Sequence, residues 1–485
     1  MSEKTISTPT ASCDGGNFSS GDINASCRLP LTPLFMSATG WLLAATVLGF
    51  IATLKFHSPE ILGNCPWCTY GRVHAASLAA MVYGFGIQIS LAITLWVFAQ
   101  LGRNKISLAP AIIAGWVLLN IGITAGVIGI LYGENTGYEW MEMPRYGLCM
   151  VFFGYILIAI AALLTFHKRR ERAVTVSHWF MVTAIFWFPW VYSTAAYLLL
   201  SNNPVRGTLQ SAVDYWFINN MTNIVLGFFG LGTVFYFIPK LSRQPLNSHY
   251  TALLSFITLV AFGSWGGIPV GTPLPSWMPS LSTMGSMVTL VPAITVLWTV
   301  LLTVRGAQVD AEDSKPIRFV FFAAYAYALS VGATAVTSPI WISRMIRFTW
   351  FGPAITQLFL FGFLAMAAFG AAYHILPRIL GGQFPAKGMI GIHFFLAALG
   401  IIIYSIALMT GGIHQGMALS YASQPFQQVM LATLGSLRAS TTGELLMAIG
   451  NGLFALNLFG LVFKIVKSTA QETVVDLTRK VEVAR

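Results

Sequence analysis

The side chains of this 485-residue chain most able to do chemistry are eight histidines, a Cys-x-x-Cys pair and two glutamates three residues apart. Imidazole and thiolate are common ligands of transition metals, and imidazole is a usual axial ligand of haem iron. Cys65-Pro66-Trp67-Cys68 has dithiol spacing, but Thr69 stands where covalent attachment of a c-type haem requires histidine. In an oxidising compartment Cys65 and Cys68 can close a disulfide that stiffens the loop before His74. A redox-active dithiol, a metal site shared with a partner chain and two free thiols stay open. Glu139 and Glu142 lie in Gly137-Tyr138-Glu139-Trp140-Met141-Glu142-Met143-Pro144, where a solvated pair would turn to Arg145 or Arg72. Asp214 is a further carboxylate without an assignable partner.

The elements that must position these residues are membrane spans. The chain is 56% hydrophobic and 9% charged, against about 25% charged in soluble domains. Apolar runs fall at 34–56, 70–100, 107–132, 147–167, 177–200, 216–239, 250–268, 280–304, 316–338, 351–378, 388–412 and 442–466. Each is long enough to cross a bilayer. The reading is therefore an all-α membrane protein of twelve transmembrane helices, with a polar tail over 1–33 and a C-terminal tail over 468–485. Alternate loops carry fifteen Lys and Arg residues, among them Lys168, Arg169, Arg170 and Arg172, and the opposite loops carry seven. The positive-inside rule places the fifteen, and with them both termini, in the cytoplasm. The net charge of +11 is thus spent on orientation in a lipid bilayer, and no nucleic acid is expected as a partner.

Five stretches, in order, resemble the catalytic subunit of cbb3-type cytochrome c oxidases and the related nitric oxide reductases. They are Tyr70-Gly71-Arg72-Val73-His74 with Tyr83-Gly84-Phe85-Gly86, the Glu139/Glu142 loop, Phe237-Ile238-Pro239-Lys240, Tyr373-His374-Ile375-Leu376-Pro377-Arg378, and Gly411-Gly412-Ile413-His414-Gln415-Gly416. The resemblance covers roughly 34–470. It implies a haem-copper oxidase subunit I-like bundle in a bacterial inner membrane. It also implies His74 as a candidate ligand of a low-spin haem b, and Glu139 and Glu142 as candidates for calcium near haem propionates.

The other family ligands are missing. The resemblance puts a His-x-His pair on span ten, one residue facing each haem because two residues on a helix are about 200° apart. Ile355 and Gln357 stand there. The copper-ligand position on span six is Asn219, and the entrance to span seven, Trp265 to Gly271, has no histidine. Copper wants about three imidazoles, so no copper and at most one haem b are expected. His414 is a weak candidate for a relocated second ligand opposite His74. An emptied ligand pocket of roughly 300–1,000 Å³ would cost on the order of 7–24 kcal/mol. Bulky residues such as Trp350, Phe351, Phe359 and Met221 should plug it, or another ligand should occupy it.

The expected function is that of a catalytically degenerate, structural subunit of a respiratory electron-transfer complex. Its expected partner is a periplasmic or membrane-anchored c-type cytochrome docking on 413–441. The alternatives are an atypical active oxidase or nitric oxide reductase with relocated ligands, and a quinone- or small-molecule-binding protein reusing the cavity. Thr222, Asn223, Ser264, Thr334, Thr337 and Ser338 are expected to line a polar remnant, while carboxylates are expected to be absent from mid-span.

Overall fold

The computed structural model describes residues 18–483 except 311 and 422. Helices are the only regular structure among these residues. Eleven of them are long and apolar enough to cross a membrane: α1 Ser20–Lys55, α2 Tyr70–Gly102, α3 Ala109–Tyr132, α4 Arg145–His167, α5 Val176–Leu200, α6 Thr208–Ser242, α8 Trp277–Val304, α9 Ser314–Thr337, α10 Phe351–Leu380, α11 Lys387–Leu419 and α12, which starts at Phe426. The remaining expected span, α7, is shorter, His249–Ala261, and continues as a 3-10 turn over Gly263–Trp265. A twelve-helix membrane bundle is what the apolar runs require, because only helices satisfy every backbone group within one segment in lipid.

Three helices form the inside of the bundle. The spanning windows of α2, α6 and α10 are 94%, 83% and 83% buried, whereas every other spanning helix keeps half or more of its window outside. Each of the three also carries a π-helical stretch, at Ala80–Ile87, Met221–Leu226 and Leu358–Ala365. π-Turns tend to mark functional positions, because the extra residue re-aims the side chains that precede it. Here they follow His74, Asn219 and Ile355/Gln357 on their respective helices. Close approach depends on small residues: a Cβ on Gly84 would lie 2.6 Å from the Trp41 side chain, and one on Gly230 would lie 2.4 Å from Phe363.

Three boundaries differ from the sequence expectations. The segment assigned as a tail at 1–33 is helical from Ser20. Ser19 caps that helix, its Oγ accepting from the Asp22 amide at 3.1 Å while the Asp22 carboxylate accepts from the Ser19 amide. Ile23, Cys27 and Leu31 on this first stretch are buried, and the Asn24 side chain accepts from Trp96 and Gln100 of α2. Residues 1–17 lie outside the described part. At the other end α12 continues as helix to Val483, through most of the stretch expected as a tail at 468–485. The docking segment expected at 413–441 is not a loop. α11 runs to Leu419 and α12 starts at Phe426, so a turn of six residues, 420–425, joins two extended helices.

Candidate functional site

Two cavities flank the first turns of α10. The first, of about 370 Å³, is bounded by α1, α2, α6, α10, α11 and α12, and His74, Ser77, Gln357, Tyr404 and Glu444 are on its wall. The second, of about 320 Å³, lies on the other side of α10 and is lined by Asn219, Asn223, Thr334, Ser338 and Ile355. Gly352, Thr356 and Arg347 border both. Ile355 and Gln357 therefore face opposite cavities, as the helical angle between them requires.

In the first cavity His74 presents its ring to the open space. Tyr70, one turn earlier, stacks on it with centroids 5.2 Å apart and planes 12° from parallel. Among the described residues no protein group hydrogen-bonds the His74 ring. Across the cavity the Gln357 amide is not free. Its Nε2 donates to Glu444 Oε2 at 3.2 Å, tying α10 to α12. Glu444 is 1% exposed, and its other oxygen lies against Gly49 and Ser77, near enough that a Cβ on Gly49 would be 2.9 Å from it. The expectation that carboxylates are absent from mid-span fails here. α12 starts sixteen residues before the apolar run that marked it, which puts Glu444 well inside the helix. An acid inside an apolar run is itself the signal that could have found it, since an intramembrane carboxylate is costly and usually functional.

The second cavity is polar but carries no metal-binding donor set. Asn219 Nδ2 donates to the Gly263 carbonyl at 2.8 Å, and its Oδ1 accepts from Asn223 Nδ2 at 2.8 Å. Thr222, Thr334, Thr337 and Ser338 donate to carbonyls one turn back on their own helices. The polar remnant expected from these residues is assembled, except for Ser264, whose hydroxyl turns back to Val260. Arg347, at the border, donates to the Gly267 carbonyl at 3.0 Å and lies over the Tyr215 ring. It has no carboxylate partner among the described residues.

The remaining sequence candidates separate. His414 is exposed on α11 and lines neither cavity; its neighbour Gln415 faces inward and accepts from the Trp350 amide at 3.1 Å. A site shared by His74 and His414 is therefore not assembled. His374 and His393 serve the basic face: His374 Nδ1 pairs with Asp313 at 3.2 Å, and His393 Nδ1 with the Tyr373 hydroxyl at 3.0 Å. His178 belongs to the Thr175 cap of α5. The expected plugs are only partly in place. Trp350 lines the first cavity and Phe351 the second. Phe359 and Met221 are packed in the core instead.

Of the two glutamates only Glu142 is withdrawn from solvent, Glu139 being exposed, and neither turns to arginine. No salt bridge joins them to Arg72 or Arg145 among the described residues, and Arg72 donates instead to the Pro66 and Leu131 carbonyls. Glu139 borders the first cavity, and its amide donates to Asp214 Oδ2 at 3.3 Å. Glu142 is 7% exposed with Oε2 unpartnered. Burial raises the Glu139 carboxyl, and burial pushes Glu142 up to about 8, helped by the nearby Glu139 and Asp214. Among the described residues no group of three His, Cys, Asp or Glu side chains is arranged to hold a metal ion. Cys65 and Cys68 share a hydrogen bond, Sγ to Sγ 2.8 Å, as free thiols on the loop before α2.

The second cavity offers amides and hydroxyls already engaged within the protein, no imidazole and the hydrocarbon of Ile355, a lining that does not fit haem iron with copper. The first cavity offers one free imidazole, His74, and fits at most one haem held through that ligand.

The chain is similar to the cbb3-type cytochrome c oxidase subunit CcoN1 of Stutzerimonas stutzeri, 24% identical over 434 residues covering 85% of this chain and 89% of the relative. It is also similar to cytochrome c oxidase subunit 1 homologs of Azorhizobium caulinodans (25% over 452 residues, 87% and 80% covered) and Bradyrhizobium diazoefficiens (25% over 481 residues, 94% and 83%). The family model for cytochrome c and quinol oxidase polypeptide I matches residues 30–448. That match takes in all the helices that build the two cavities, and the chain is a multi-pass membrane protein of the haem-copper oxidase subunit I family.

Proposed function

We propose that this chain is a catalytically degenerate, structural subunit of a respiratory electron-transfer complex, holding at most one haem b through His74 and no copper. One observation carries the reading. At the cavity where the family's paired centre would need imidazoles, Asn219 is committed to Gly263 and Asn223, and Ile355 supplies only a hydrocarbon wall. Copper at such a site needs nitrogen or sulfur donors that these residues lack. What this chain's own residues do there is positional: Asn219 ties α6 to the turn after α7 through the Gly263 carbonyl, and Gln357–Glu444 ties α10 to α12.

In this reading both termini are cytoplasmic in a bacterial inner membrane, which the charge of the loops supports. The partner that suits the opposite face is a c-type cytochrome, by analogy with the cytochrome c oxidase subunits to which the chain is similar. A second reading, in which the first cavity binds a quinone or another small molecule, is supported by Glu444 and His74 on one wall-lined space. The test is purification of the intact complex from native membranes, with metal analysis and a carbon monoxide difference spectrum. The expected result is no stoichiometric copper, no high-spin haem signal and a co-purifying cytochrome c. One copper per chain would refute the reading, and recovery as a lone stable chain would move the weight to the small-molecule reading.

A further inference from the structure

The Cys65–Cys68 turn has the form of an exchange centre rather than of a staple. Pro66–Cys68 is a single 3-10 turn, closed by the Cys68 amide donating to the Cys65 carbonyl at 3.1 Å. The thiols stand 2.8 Å apart and both are partly exposed. A disulfide bond is about 2.05 Å long, so oxidation needs less than 1 Å of movement. As a staple the bond would do little. Cross-links stabilise chiefly by removing unfolded-chain entropy, and the shortest loops gain least. Only two residues separate these cysteines, and the turn is already held from outside, because Arg72 Nη1 donates to the Pro66 carbonyl at 2.9 Å and to Leu131 at 3.2 Å.

The two sulfurs are not equivalent. Their shared hydrogen bond holds Cys65 below the ordinary thiol range and Cys68 above it, while the ammonium of Lys55 favours both thiolates. That is the division between an attacking and a resolving thiol. Beside them Trp67 is 51% exposed and packs on Tyr132 with centroids 5.1 Å apart, an aromatic platform next to the thiols. The turn leads directly into the wall of the first cavity. Thr69 precedes α2, and Tyr70, which lines the cavity and stacks on His74, touches Phe56 at 5.4 Å, while Phe56 meets Trp350 at 4.5 Å.

We infer that Cys65 and Cys68 form a redox-active dithiol that exchanges with a disulfide-bearing protein or small molecule. Cys65 thiolate attacks one sulfur of the incoming disulfide, breaking that S–S bond and releasing the first thiolate, which takes up a proton. Cys68, giving up its proton, then attacks the Cys65 sulfur of the mixed disulfide. The Cys65–Cys68 bond forms and the second thiolate leaves. Two electrons pass from the dithiol to the partner, and the reverse sequence reduces the pair. Independently of whether the first cavity holds haem, closing the turn draws on the same short segment that carries Tyr70 and His74.

The test uses the full chain in native membrane vesicles equilibrated with glutathione and glutathione disulfide at varied ratios, quenched by alkylation. Trypsin cleavage after Lys55 and Arg72 isolates peptide 56–72, which contains no other cysteine, and its mass reports the state of the pair. The expected result is a reversible passage from dithiol to disulfide within the accessible ratios. Cys68→Ser should trap glutathione on Cys65 at least tenfold more than Cys65→Ser traps it on Cys68. A pair that stays oxidised at every ratio until the protein is denatured is a staple and overturns the inference. So does a pair that stays reduced in glutathione disulfide alone, or equal trapping on the two cysteines.

Discussion

Glu142 offers a direct reading of how the loop between α3 and α4 is built. Its carboxyl is 7% exposed, and burial, with Glu139 and Asp214 nearby, pushes it up to about 8 from an ordinary 4.5. A carboxyl that holds its proton more tightly when folded has no penalty below pH 4.5, because both states are then protonated. Between 4.5 and 8 the unfolded chain ionises while the folded one does not, so stability falls as pH rises, and the loss is complete just above 8. At 1.36 kcal/mol per pH unit the loss between pH 5 and pH 8 is about 3–4 kcal/mol. Glu142→Gln removes this titration, while Glu139 and Asp214 titrate in both proteins and cancel in the difference. Relative to the native chain, the variant should therefore gain about 3–4 kcal/mol between pH 5 and pH 8, whatever fixed offset the amide introduces. With roughly 2.1 cal/mol/K of unfolding entropy per residue, that is a gain of about 3–4 °C in apparent Tm for a chain of this length. The assay is thermal unfolding of both proteins side by side in one detergent at half-unit pH steps. Curves that run parallel from pH 5 to pH 8 would show that Glu142 is already ionised in the fold, and the buried-acid account would fail.

Two further perturbations act in the first cavity. His74→Ala should abolish the α-band of any haem b while leaving the chain in the membrane, and an α-band that survives would mean that another residue holds the iron. Glu444→Leu should strand the Gln357 amide at a cost of about 1–3 kcal/mol, whereas Glu444→Gln keeps an acceptor for it and should cost less. Detergent unfolding of the two variants checks this, and equal losses would show that the carboxyl, not the cross-tie, is what α10 and α12 need.

Much of this architecture is legible in the residues, and what is not has a physical cause. Lipid admits few alternatives, so uncharged runs near twenty residues long give the spans directly, and the helical angle alone sends Ile355 and Gln357 to opposite sides of α10. The start of α1 is hidden because Ser, Asn and Arg surround Ile23, Cys27 and Leu31. These nonetheless repeat every four residues behind a Ser19–Asp22 cap, and the polar neighbours are used to bond α2. The 413–441 stretch misleads for the opposite reason: it lacks the unbroken hydrophobicity of a span, yet it is rich in Leu, Ala, Met and Gln, which favour helix. Glu444 escapes through that same boundary. Its partner Gln357 lies 87 residues away in sequence, and no local pattern announces a pairing that only the packing of α10 on α12 creates.

On the proposed reading, the chemistry of the cavity walls accounts for how the bundle stands without a haem-copper centre. A dry apolar void of about 370 Å³ would cost roughly 9 kcal/mol, which is comparable to the whole stability of many domains. The first cavity lowers that cost because polar groups break its largely apolar wall: Ser77, Gln357, Tyr404 and Glu444 present groups that water or a ligand can satisfy. The second cavity likewise carries polar groups, with Asn219 and Asn223 on its wall. Asn219 reaches the turn after α7 and Gln357 reaches α12, so these two amides each hold two elements of the bundle together. A subunit under selection for catalysis would keep its donors free for the metal. The structural subunit proposed here would instead spend them on its own helices, as Asn219 and Gln357 do.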